Sequence, residues 1–392
     1  MSNNYARLHQ LRRTDPPAAD RCATRLLRMR KDFRSLRSRK SEGSLLLATW
    51  NIRDFGAAKF GQGKRLPETL YYIAEVISCF DLVAVQEVNR NLGEFLEVMR
   101  ILGREWDFIA TDTTEGSGGN AERMAFVYNT DKVWFRNIAG EIVLPQGQTV
   151  VSRARALDDQ PEGARGALAA AAEANTVQSA IDRGLTEVEQ QFARTPFVVS
   201  FQSGWFRFNL CTVHIYYGQD SGPGLQRRIR EIRELVKFFA DRQDKENALA
   251  GDEPGRSENY ILLGDFNVVS PEHETMLALR DRGFTIPPAI DGDRIRTPED
   301  HFYDQIAVRV AEPSFRVVTG GLVDIYESVF RHNQTDLRLY TPLMPSADED
   351  DRENTPMERY LKWRTWQMSD HRPLWIEIDT DYADAYLSDF RA

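Results

Sequence analysis

Short apolar runs rich in strand-forming residues recur along this chain, and segments with helical spacing of apolar residues lie between them. Because each run is bounded by polar or turn-forming residues, the runs predict β-strands. The predicted strands cover 45–51, 81–88, 106–111, 123–128, 133–136, 142–144, 197–201, 205–214, 260–265, 301–308 and the segment after 371. Helices are predicted at 66–80, 92–102, 225–239 and 271–282, and a long polar loop at 333–360.

Polar side chains stand where several of these runs end, most clearly at 260–267. There the apolar strand reaches Gly264 and then presents Asp265 and Asn267, separated by Phe266. In an extended backbone Asp265 and Asn267 would point the same way, with Cα atoms about 7 Å apart. Buried polar groups cost free energy unless they are paired, so we interpret the two as a site for a metal-bound phosphate. An ordinary Asp-Phe-Asn turn is the alternative.

Other predicted strands carry polar residues in the same position. Asn51 ends the first strand, Glu87 ends the second, and His214 ends the run at 205–214. A histidine at a strand end is more often a satisfied structural residue than a catalyst, so that simpler interpretation stays open. Further polar residues beside apolar runs are Glu122 before 123–128, Asp304 within 301–308, and Asp370 and His371 before the last strand.

The donor atoms of these residues indicate which metal ion they suit. Asn51, Glu87, Asp265, Asn267 and Asp370 offer only hard oxygen ligands. Mg²⁺ and Mn²⁺ prefer such ligands, whereas zinc sites use cysteine and histidine. Together with two histidines, the set suits hydrolysis of a phosphate ester, in which water must be activated and developing charge stabilised.

Composition sets the expected environment of the protein. The chain has no run of 18 or more apolar residues, so no transmembrane helix is expected. Its N-terminal segment lacks the apolar core of a secretory signal. Cys22, Cys79 and Cys211 are too few and too far apart for a disulfide framework or a zinc site. These features predict a cytoplasmic protein with free thiols.

Charge is distributed unevenly along the chain. Residues 1–40 carry twelve Lys and Arg against three Asp, a net of +9, which leaves −18 on the remaining 352 residues of a chain with total charge −9. Apolar residues at 26, 29, 33 and 36 have helical spacing within this segment. Residues 1–44 are therefore predicted to form a basic amphipathic arm, either docked on the body or contacting nucleic acid or a partner.

A second segment outside the strand pattern lies at 146–194. It contains an alanine tract at 169–172 and helical spacing of apolar residues over 177–192. Helical insertions between strands are usually caps or oligomer contacts. We expect one domain at 45–380 that contains this insertion, followed by a tail at 381–392. The insertion and the arm are candidate contacts for a partner or a second copy.

In their order, these segments resemble the motifs of the endonuclease/exonuclease/phosphatase superfamily, which has the deoxyribonuclease I-like fold. The matching segments are Ala-Thr-Trp-Asn-Ile at 48–52, Val-Gln-Glu-Val at 85–88, Glu-Arg-Met-Ala-Phe-Val-Tyr at 122–128, Thr-Val-His at 212–214, Gly-Asp-Phe-Asn at 264–267, Tyr-Asp-Gln-Ile at 303–306 and Ser-Asp-His-Arg-Pro at 369–373. Each is weakly specific alone, but seven in this order are strongly specific. The resemblance implies an α/β fold, a four-layer α/β/β/α sandwich of two packed mixed sheets flanked by helices.

The resemblance also implies how the water and the metal ion are held. Asn51, Glu87 and Asp370 would surround a Mg²⁺ or Mn²⁺ ion. Asp265 would align or deprotonate the attacking water, and Asn267 would bind the phosphate or the attacking group. A divalent-metal-dependent hydrolase acting on ester bonds is therefore implied.

The remaining motif residues imply proton transfer and phosphate contact. His371, oriented by Asp304, and His214, oriented by Glu122, would flank the scissile phosphate, and the sequence leaves open which histidine donates a proton. Arg194 resembles an arginine that contacts the substrate phosphate in the nuclease branch. A nuclease is the leading hypothesis, and a phosphatase or phosphodiesterase acting on a phosphoinositide or another small phosphoester is the alternative. A catalytically silent binding module would have lost a metal or histidine position, and none is lost.

Overall fold

Two mixed β-sheets form the centre of the computed structural model, which describes residues 3–59, 61–113, 122–144, 150–151, 189–250, 258–295, 302–346 and 354–391. The strands are β1 (Ser44–Phe55), β2 (Leu82–Asn89), β3 (Trp106–Ala110), β4 (Glu122–Asn129), β5 (Trp134–Glu141), β6 (Val150–Val151), β7 (Glu189–Gln190), β8 (Phe197–Ser203), β9 (Phe206–His214), β10 (Tyr260–Asp265), β11 (Asp304–Arg309), β12 (Val317–Leu322) and β13 (Leu374–Asp379). The first sheet has the order β12-β13-β1-β2-β4-β3, the second β11-β10-β9-β8-β5, and β6 pairs with β7.

Helices cover the outer faces of both sheets. They are α1 (Leu8–Thr14), α2 (Pro16–Asp32), α3 (Arg34–Arg37), α4 (Pro67–Ile77), α5 (Gly93–Leu102), α6 (Gly222–Ala250), α7 (Glu274–Leu279), α8 (Gln334–Tyr340), α9 (Pro356–Gln367) and α10 (Ala383–Phe390). On the second sheet, Phe239 of α6 packs on Tyr260 of β10 with ring centroids 5.3 Å apart. The layers confirm the predicted α/β/β/α sandwich of two mixed sheets.

The side chains of β1 alternate between the core that separates the two sheets and the helices outside the first sheet. Leu45 and Leu47 lie in the core between the sheets, whereas Leu46 and Trp50 pack under the helices of the first sheet. Because successive side chains point to opposite faces, Asn51 falls on the inner side at the end of the strand. The apolar pattern of β1 therefore places an amide at the edge of the inner core.

The N-terminal arm is docked on the body. Asp15 caps α2 by accepting a hydrogen bond of 2.9 Å from the N–H of Ala18. Leu26 and Met29 are buried against the helical layer of the first sheet. Nη2 of Arg25 pairs with Oδ1 of Asp336 at 2.7 Å, with both side chains almost fully buried. These contacts join the first 40 residues to α8.

Two predicted elements are wrong in the described residues. Residues 142–144 are not a strand, because β5 ends at Glu141 and the N–H of Ile142 donates to the carbonyl of Pro196 at 2.8 Å. The polar loop expected at 333–360 contains α8 and the first turns of α9. The side chain of Asn333 caps α8, and Thr355 and Glu358 form a capping box on α9. Most of the helical insertion expected within 146–194 lies outside the described residues.

The three cysteines agree with the free thiols expected from their number and spacing. Cys22, Cys79 and Cys211 are free and buried. In the described part of the chain, no helix is both long and apolar enough to cross a membrane.

Candidate active site

The central strands of both sheets end at one edge of the sandwich. β1 and β2 are parallel neighbours in the first sheet, and β9 and β10 are parallel neighbours in the second, so within each pair the carboxyl ends lie together. Asp265 is the register partner of His214 on β9 and of Asp304 on β11. From the other sheet, Nδ2 of Asn51 donates to Oδ2 of Asp265 at 3.2 Å. The strand ends thus converge on Asp265.

Asp265 lies between two histidines and is only 2% exposed. Its Oδ2 is 3.6 Å from Nε2 of His214 and 3.7 Å from Nε2 of His371. Its Oδ1 accepts a hydrogen bond of 3.0 Å from the N–H of Asn267. Burial acts to raise the pKa of Asp265, but the charges of His371 and His214 outweigh it and hold the pKa below its usual value. The carboxylate is therefore ionised at neutral pH.

His371 is oriented by a second carboxylate. Its Nδ1 donates to Oδ2 of Asp304 at 2.7 Å. Burial acts to lower the pKa of His371, but the charges of Asp304 and Asp265 hold it well above the usual 6.5. The backbone N–H of His371 donates to Oγ of Ser369, whose hydroxyl in turn donates to the carbonyl of Asn51. The two carboxylates therefore favour the protonated form of His371, which lies beside Asp265.

His214 has the corresponding arrangement on the other side. Its Nδ1 lies 3.3 Å from Oε2 of Glu122, which opens β4. The same carboxylate oxygen accepts a hydrogen bond of 3.1 Å from Nε of Arg194. The side chain of Arg194 is largely buried, and the residue lies three positions before β8 begins. The structure thus brings Glu122, His214 and Arg194 together beside Asp265.

Glu87 reaches the site through a break in the alternation of β2. Val83 and Val85 face the outer helices, so regular alternation would place Glu87 there as well. Instead the register shifts between Val85 and Val88, and Glu87 has a φ of 60°. Its Oε1 accepts a hydrogen bond of 2.9 Å from Nδ2 of Asn51. A β-bulge therefore directs the Glu87 carboxylate toward the edge where Asp265 lies.

Left-handed backbone conformations concentrate at this edge. Asp54, Glu87 and Asn267 have φ values of 44°, 60° and 50°. Each non-glycine residue in this region costs about 1–3 kcal/mol unless its surroundings hold it there, and such residues cluster at functional sites. The N–H of Asp54 donates to Oε2 of Glu87 at 2.8 Å, which supports both conformations.

An acidic group suited to a cation lies next to Asp265. Oxygens of Asp54, Glu87 and Glu122 all lie within 4.8 Å of one another. Asn51 contacts this group through Nδ2, which donates to Oε1 of Glu87, and its Oδ1 is buried and has no hydrogen-bond partner in the described structure. Close carboxylates repel one another, and a buried amide oxygen without a partner is costly. A divalent cation that prefers oxygen ligands would relieve both, so these residues fit Mg²⁺ or Mn²⁺.

Comparisons with known proteins found solved structures that are similar to this chain. No family model and no curated protein sequence matches this chain. Solved structures similar to this chain include endonuclease/exonuclease/phosphatase family proteins. The catalytic domain of human Nocturnin with bound sulfate has a TM-score of 0.47 and 11% identity over 86% of this chain and 95% of that one. The endonuclease/exonuclease/phosphatase from Bacteroides vulgatus has a TM-score of 0.43 and 14% identity over 87% and 100%. D. rerio TDP2 complexed with single strand DNA product has a TM-score of 0.43 and 13% identity over 86% and 99%.

Asp370 stands apart from the acidic group. Its side chain is 45% exposed, and its Oδ2 pairs with Nη1 of Arg53 at 3.3 Å. Arg53 itself donates to Oγ1 of Thr365 and lies 3.9 Å from the ring centre of Trp366. In the described residues, the carboxylates that lie within 4.8 Å of one another are those of Asp54, Glu87 and Glu122, and Asp370 is not among them. The role of Asp370 as a metal ligand stays a prediction.

The extended backbone expected through Asn267 is wrong. β10 ends at Asp265, and Asn267 turns into the left-handed region, where its Nδ2 donates to the carbonyl of Ile215 at 2.8 Å. The turn is preceded by Gly264, with φ of 135°, where an added Cβ would lie 2.2 Å from the carbonyl oxygen of Val213. Glycine is therefore required at 264, and the amide of Asn267 holds the loop after β9 in place.

Three residues that organise the site are not indicated by the strand-end pattern: Asp54, Gln86 and Arg228. Arg228 is fully buried and donates to the carbonyls of Asn267 at 3.0 Å and Tyr217 at 2.9 Å. It thereby fixes the loops after β9 and β10. Arg228 lies three residues after Leu225 and four before Ile232, so helical spacing places it on the buried face of α6. The sequence alone could therefore have predicted that Arg228 is buried. For Asp54 no such signal exists, because its position depends on the bulge.

Proposed function

We propose that this chain is a divalent-metal-dependent phosphoesterase that cleaves phosphodiester bonds of nucleic acid by attack of water. The observation that carries the proposal is the approach of His214 and His371 to one oxygen of Asp265, at 3.6 and 3.7 Å. Each histidine has its second ring nitrogen beside another carboxylate. Two oriented imidazoles around one ionised carboxylate provide a base, an acid and positive charge for a phosphate.

The direction of the pKa shifts supports one division of roles within this group. Asp265 is ionised, so it accepts a proton from the attacking water while the water oxygen forms the new bond to phosphorus. His371 is protonated, so its Nε2–H suits donation to the leaving oxygen as the bond from phosphorus to that oxygen breaks. His214 and Arg194 face the same edge and suit contact with the phosphate oxygens. Asp304 holds the His371 ring in the orientation that this transfer requires.

Asn51, Asp54, Glu87 and Glu122 would hold the metal ion, with Asp370 as a further ligand. A bound Mg²⁺ or Mn²⁺ supplies charge stabilisation to the phosphate oxygens. The unpartnered Oδ1 of Asn51 and the group of three carboxylates support this assignment. Asn267 contributes by its backbone, since its N–H orients Asp265.

Nucleic acid is the proposed substrate because the motifs at 264–267 and 303–306 are closer to the nuclease branch. Arginines at the edge, among them Arg53 and Arg194, suit contact with phosphates. We also propose that the protein is located in the cytoplasm.

Hydrolysis of a substrate panel tests the proposal. The panel contains single-stranded DNA, duplex DNA, RNA, abasic DNA and a phosphoinositide, each with Mg²⁺, Mn²⁺ or chelator. We expect metal-dependent cleavage of nucleic acid by the native protein and none by Asp265→Asn, with Asp107→Asn, an exposed aspartate on β3, as the matched control. Cleavage of the phosphoinositide alone would support a lipid phosphatase, and inactivity on every substrate would support a silent binding module.

A further inference from the structure

The rings of His371, Tyr303 and Tyr217 form a row that leads from the proposed catalytic group to the surface. The ring of Tyr303 has its centre 6.0 Å from the ring of His371, and the ring of Tyr217 lies 6.2 Å from that of Tyr303. Tyr303 is partly buried, whereas Tyr217 is 40% exposed. The row thus begins at an imidazole beside the proposed scissile phosphate and ends at an aromatic surface open to solvent.

Tyr217 is held firmly despite its exposure. The guanidinium of Arg228 lies 4.6 Å from its ring centre, and Arg228 is itself fully buried. Arg228 also donates to the backbone carbonyl of Tyr217. The hydroxyl of Tyr217 donates to Oδ2 of Asp220 at 2.9 Å. A ring fixed on both its backbone and its hydroxyl loses little conformational entropy when a ligand stacks on it.

Resting on the proposed function, we propose that Tyr217 and Tyr303 form a stacking subsite for a nucleobase next to the scissile phosphate. The subsite selects single strands, because a base within a duplex is already stacked on its neighbours and an unpaired base is free to stack on an aromatic side chain. Through this subsite the protein would recognise an unpaired base of the substrate in addition to the phosphate.

The charge of the molecule favours this mode of recognition. Outside residues 1–40 the chain carries a net charge of −18. A long electrostatic grip on phosphates requires a basic surface, whereas stacking uses the neutral faces of bases and rings. Burial raises the pKa of Tyr303 to about 12, and the hydrogen bond to Asp220 raises that of Tyr217, so both rings stay neutral at pH 7. Neutral rings add no repulsion toward a polyanion.

Tyr216 provides a matched control in the same loop. Its ring lies 4.5 Å from the guanidinium of Arg227, an arrangement like that of Tyr217 on Arg228. The described ring contacts join Tyr303 to Tyr217 and to His371. A change at 216 therefore disturbs the loop to a similar degree without removing a ring from the row.

The first experiment maps cleavage within one oligonucleotide. The strand carries one baseless tetrahydrofuran residue among normal nucleotides, in a DNA and an RNA form, and the full chain is assayed with Mg²⁺. We expect the native protein to cleave linkages beside a base about tenfold faster than those beside the baseless residue. Tyr217→Leu should bring the ratio of the two rates close to one, whereas Tyr217→Phe and Tyr216→Leu should retain the preference. Equal slowing at both linkages in Tyr217→Leu would overturn the subsite.

A second experiment detects stacking without turnover. A single strand containing 2-aminopurine, whose fluorescence falls when it stacks, is added to Asp265→Asn and to Asp265→Asn combined with Tyr217→Leu. We expect quenching in the first protein and at least a severalfold smaller effect in the second. If quenching occurs but the native protein hydrolyses no strand, the subsite stands and the proposed function fails. If quenching is absent or the same in both proteins, the subsite is overturned whatever the hydrolysis shows.

Discussion

Nε2 of Gln86 on β2 donates a hydrogen bond of 2.8 Å to the hydroxyl of Thr212 on β9, across the interface between the two sheets. The same amide exchanges hydrogen bonds with Thr49 of β1 at 3.0 and 3.3 Å. All three side chains are fully buried. Because Gln86 directly precedes Glu87, and Thr212 comes two residues before His214, this amide fixes the relative position of the sheets beside the candidate site.

Replacing Gln86 should destabilise the fold and disturb the site together. Gln86→Leu fills the space but leaves two buried hydroxyls without their partner, which we expect to lower the free energy of unfolding by about 1–3 kcal/mol. Urea denaturation measures the loss. Gln202→Leu is the control, since the amide of Gln202 donates a solvent-exposed hydrogen bond to the carbonyl of Gly204. Similar stability of the two variants would contradict a bridging role for Gln86.

Asp265→Asn and His371→Gln should each abolish most hydrolysis. Asp265→Asn removes the proton acceptor, and His371→Gln removes the proton donor, so we expect kcat to fall by roughly 10²–10⁴-fold in each. The Tm should fall in His371→Gln, which leaves the carboxylate of Asp304 without its charged partner, so kcat is compared at a temperature where both variants are folded. Steady-state rates on the cleaved strand and melting curves test this. Retained turnover in either variant would contradict the assigned roles.

Metal binding should depend on Asp54 as well as on Glu87. An ion that binds only the folded state raises its stability, by about 2.7 kcal/mol at a hundredfold excess over Kd. We expect Mg²⁺ to raise the Tm of the native protein and to lose this effect in Asp54→Asn and Glu87→Gln. Asp370→Asn is tested in parallel. Loss of Mg²⁺ stabilisation in this variant would support Asp370 as the ligand that the motif implies, whereas loss in Asp54→Asn would support the acidic group seen in the structure. Full Mg²⁺ stabilisation of Asp54→Asn would exclude Asp54 as a ligand.

A pH dependence is expected from Glu231 on α6, which is fully buried. Burial raises its pKa above the usual 4.5, in spite of Arg227 and of N–H donors from Ala193 and Tyr216. A raised pKa in the folded state means that the stability contribution is complete below about pH 4.5 and is lost as pH rises through the folded value. The stability of the native protein relative to Glu231→Gln should therefore fall from pH 4.5 upward. Urea titrations at several pH values measure it, and a constant difference would contradict the prediction.

The arm should contribute to stability through Arg25. Arg25→Met leaves the buried carboxylate of Asp336 with Arg331 as its remaining cationic partner, so we expect a loss of about 3 kcal/mol. Arg28→Met is the matched control on the same helix, because Arg28 makes an exposed pair with Asp32 and should cost no more than about 0.5 kcal/mol. Denaturation curves compare them. If the salt dependence of substrate binding changes instead, the arm contacts the substrate.

Local sequence patterns were sufficient to predict much of the site. Asn51, His214 and Asp265 lie where apolar strands end, and the alternation of side chains determines the face on which they stand. That reasoning needs only the twofold period of a strand and the shared edge of parallel neighbours. The two sheets and their helical layers followed from the family resemblance and are observed in the structure.

What the sequence did not reveal depends on departures from regular geometry. The sequence identified Glu87 as a site residue but did not predict the bulge of β2, without which strand alternation would turn its side chain away from the site. The placement of Asp54 follows from the same irregularity. Asp370 is drawn toward Arg53, a pairing set by how the loop before β13 packs on α9. At 333–360, the acidic run concealed two helices whose caps, Asn333 and Thr355, are visible in the sequence.

The pairing of β1 with β13 has a consequence for biosynthesis. Ser44 lies opposite Asp379, and the carbonyl of Asn51 accepts its hydrogen bond from Ser369, 318 residues further along the chain. At about 5–20 residues per second, a ribosome needs roughly 15–60 s to span that distance. For this whole interval one side of the nascent β1 strand lacks its native neighbour. The edge that holds the candidate site therefore becomes complete only after β13 has been synthesised, and any chain released before residue 374 lacks the strand that pairs with β1.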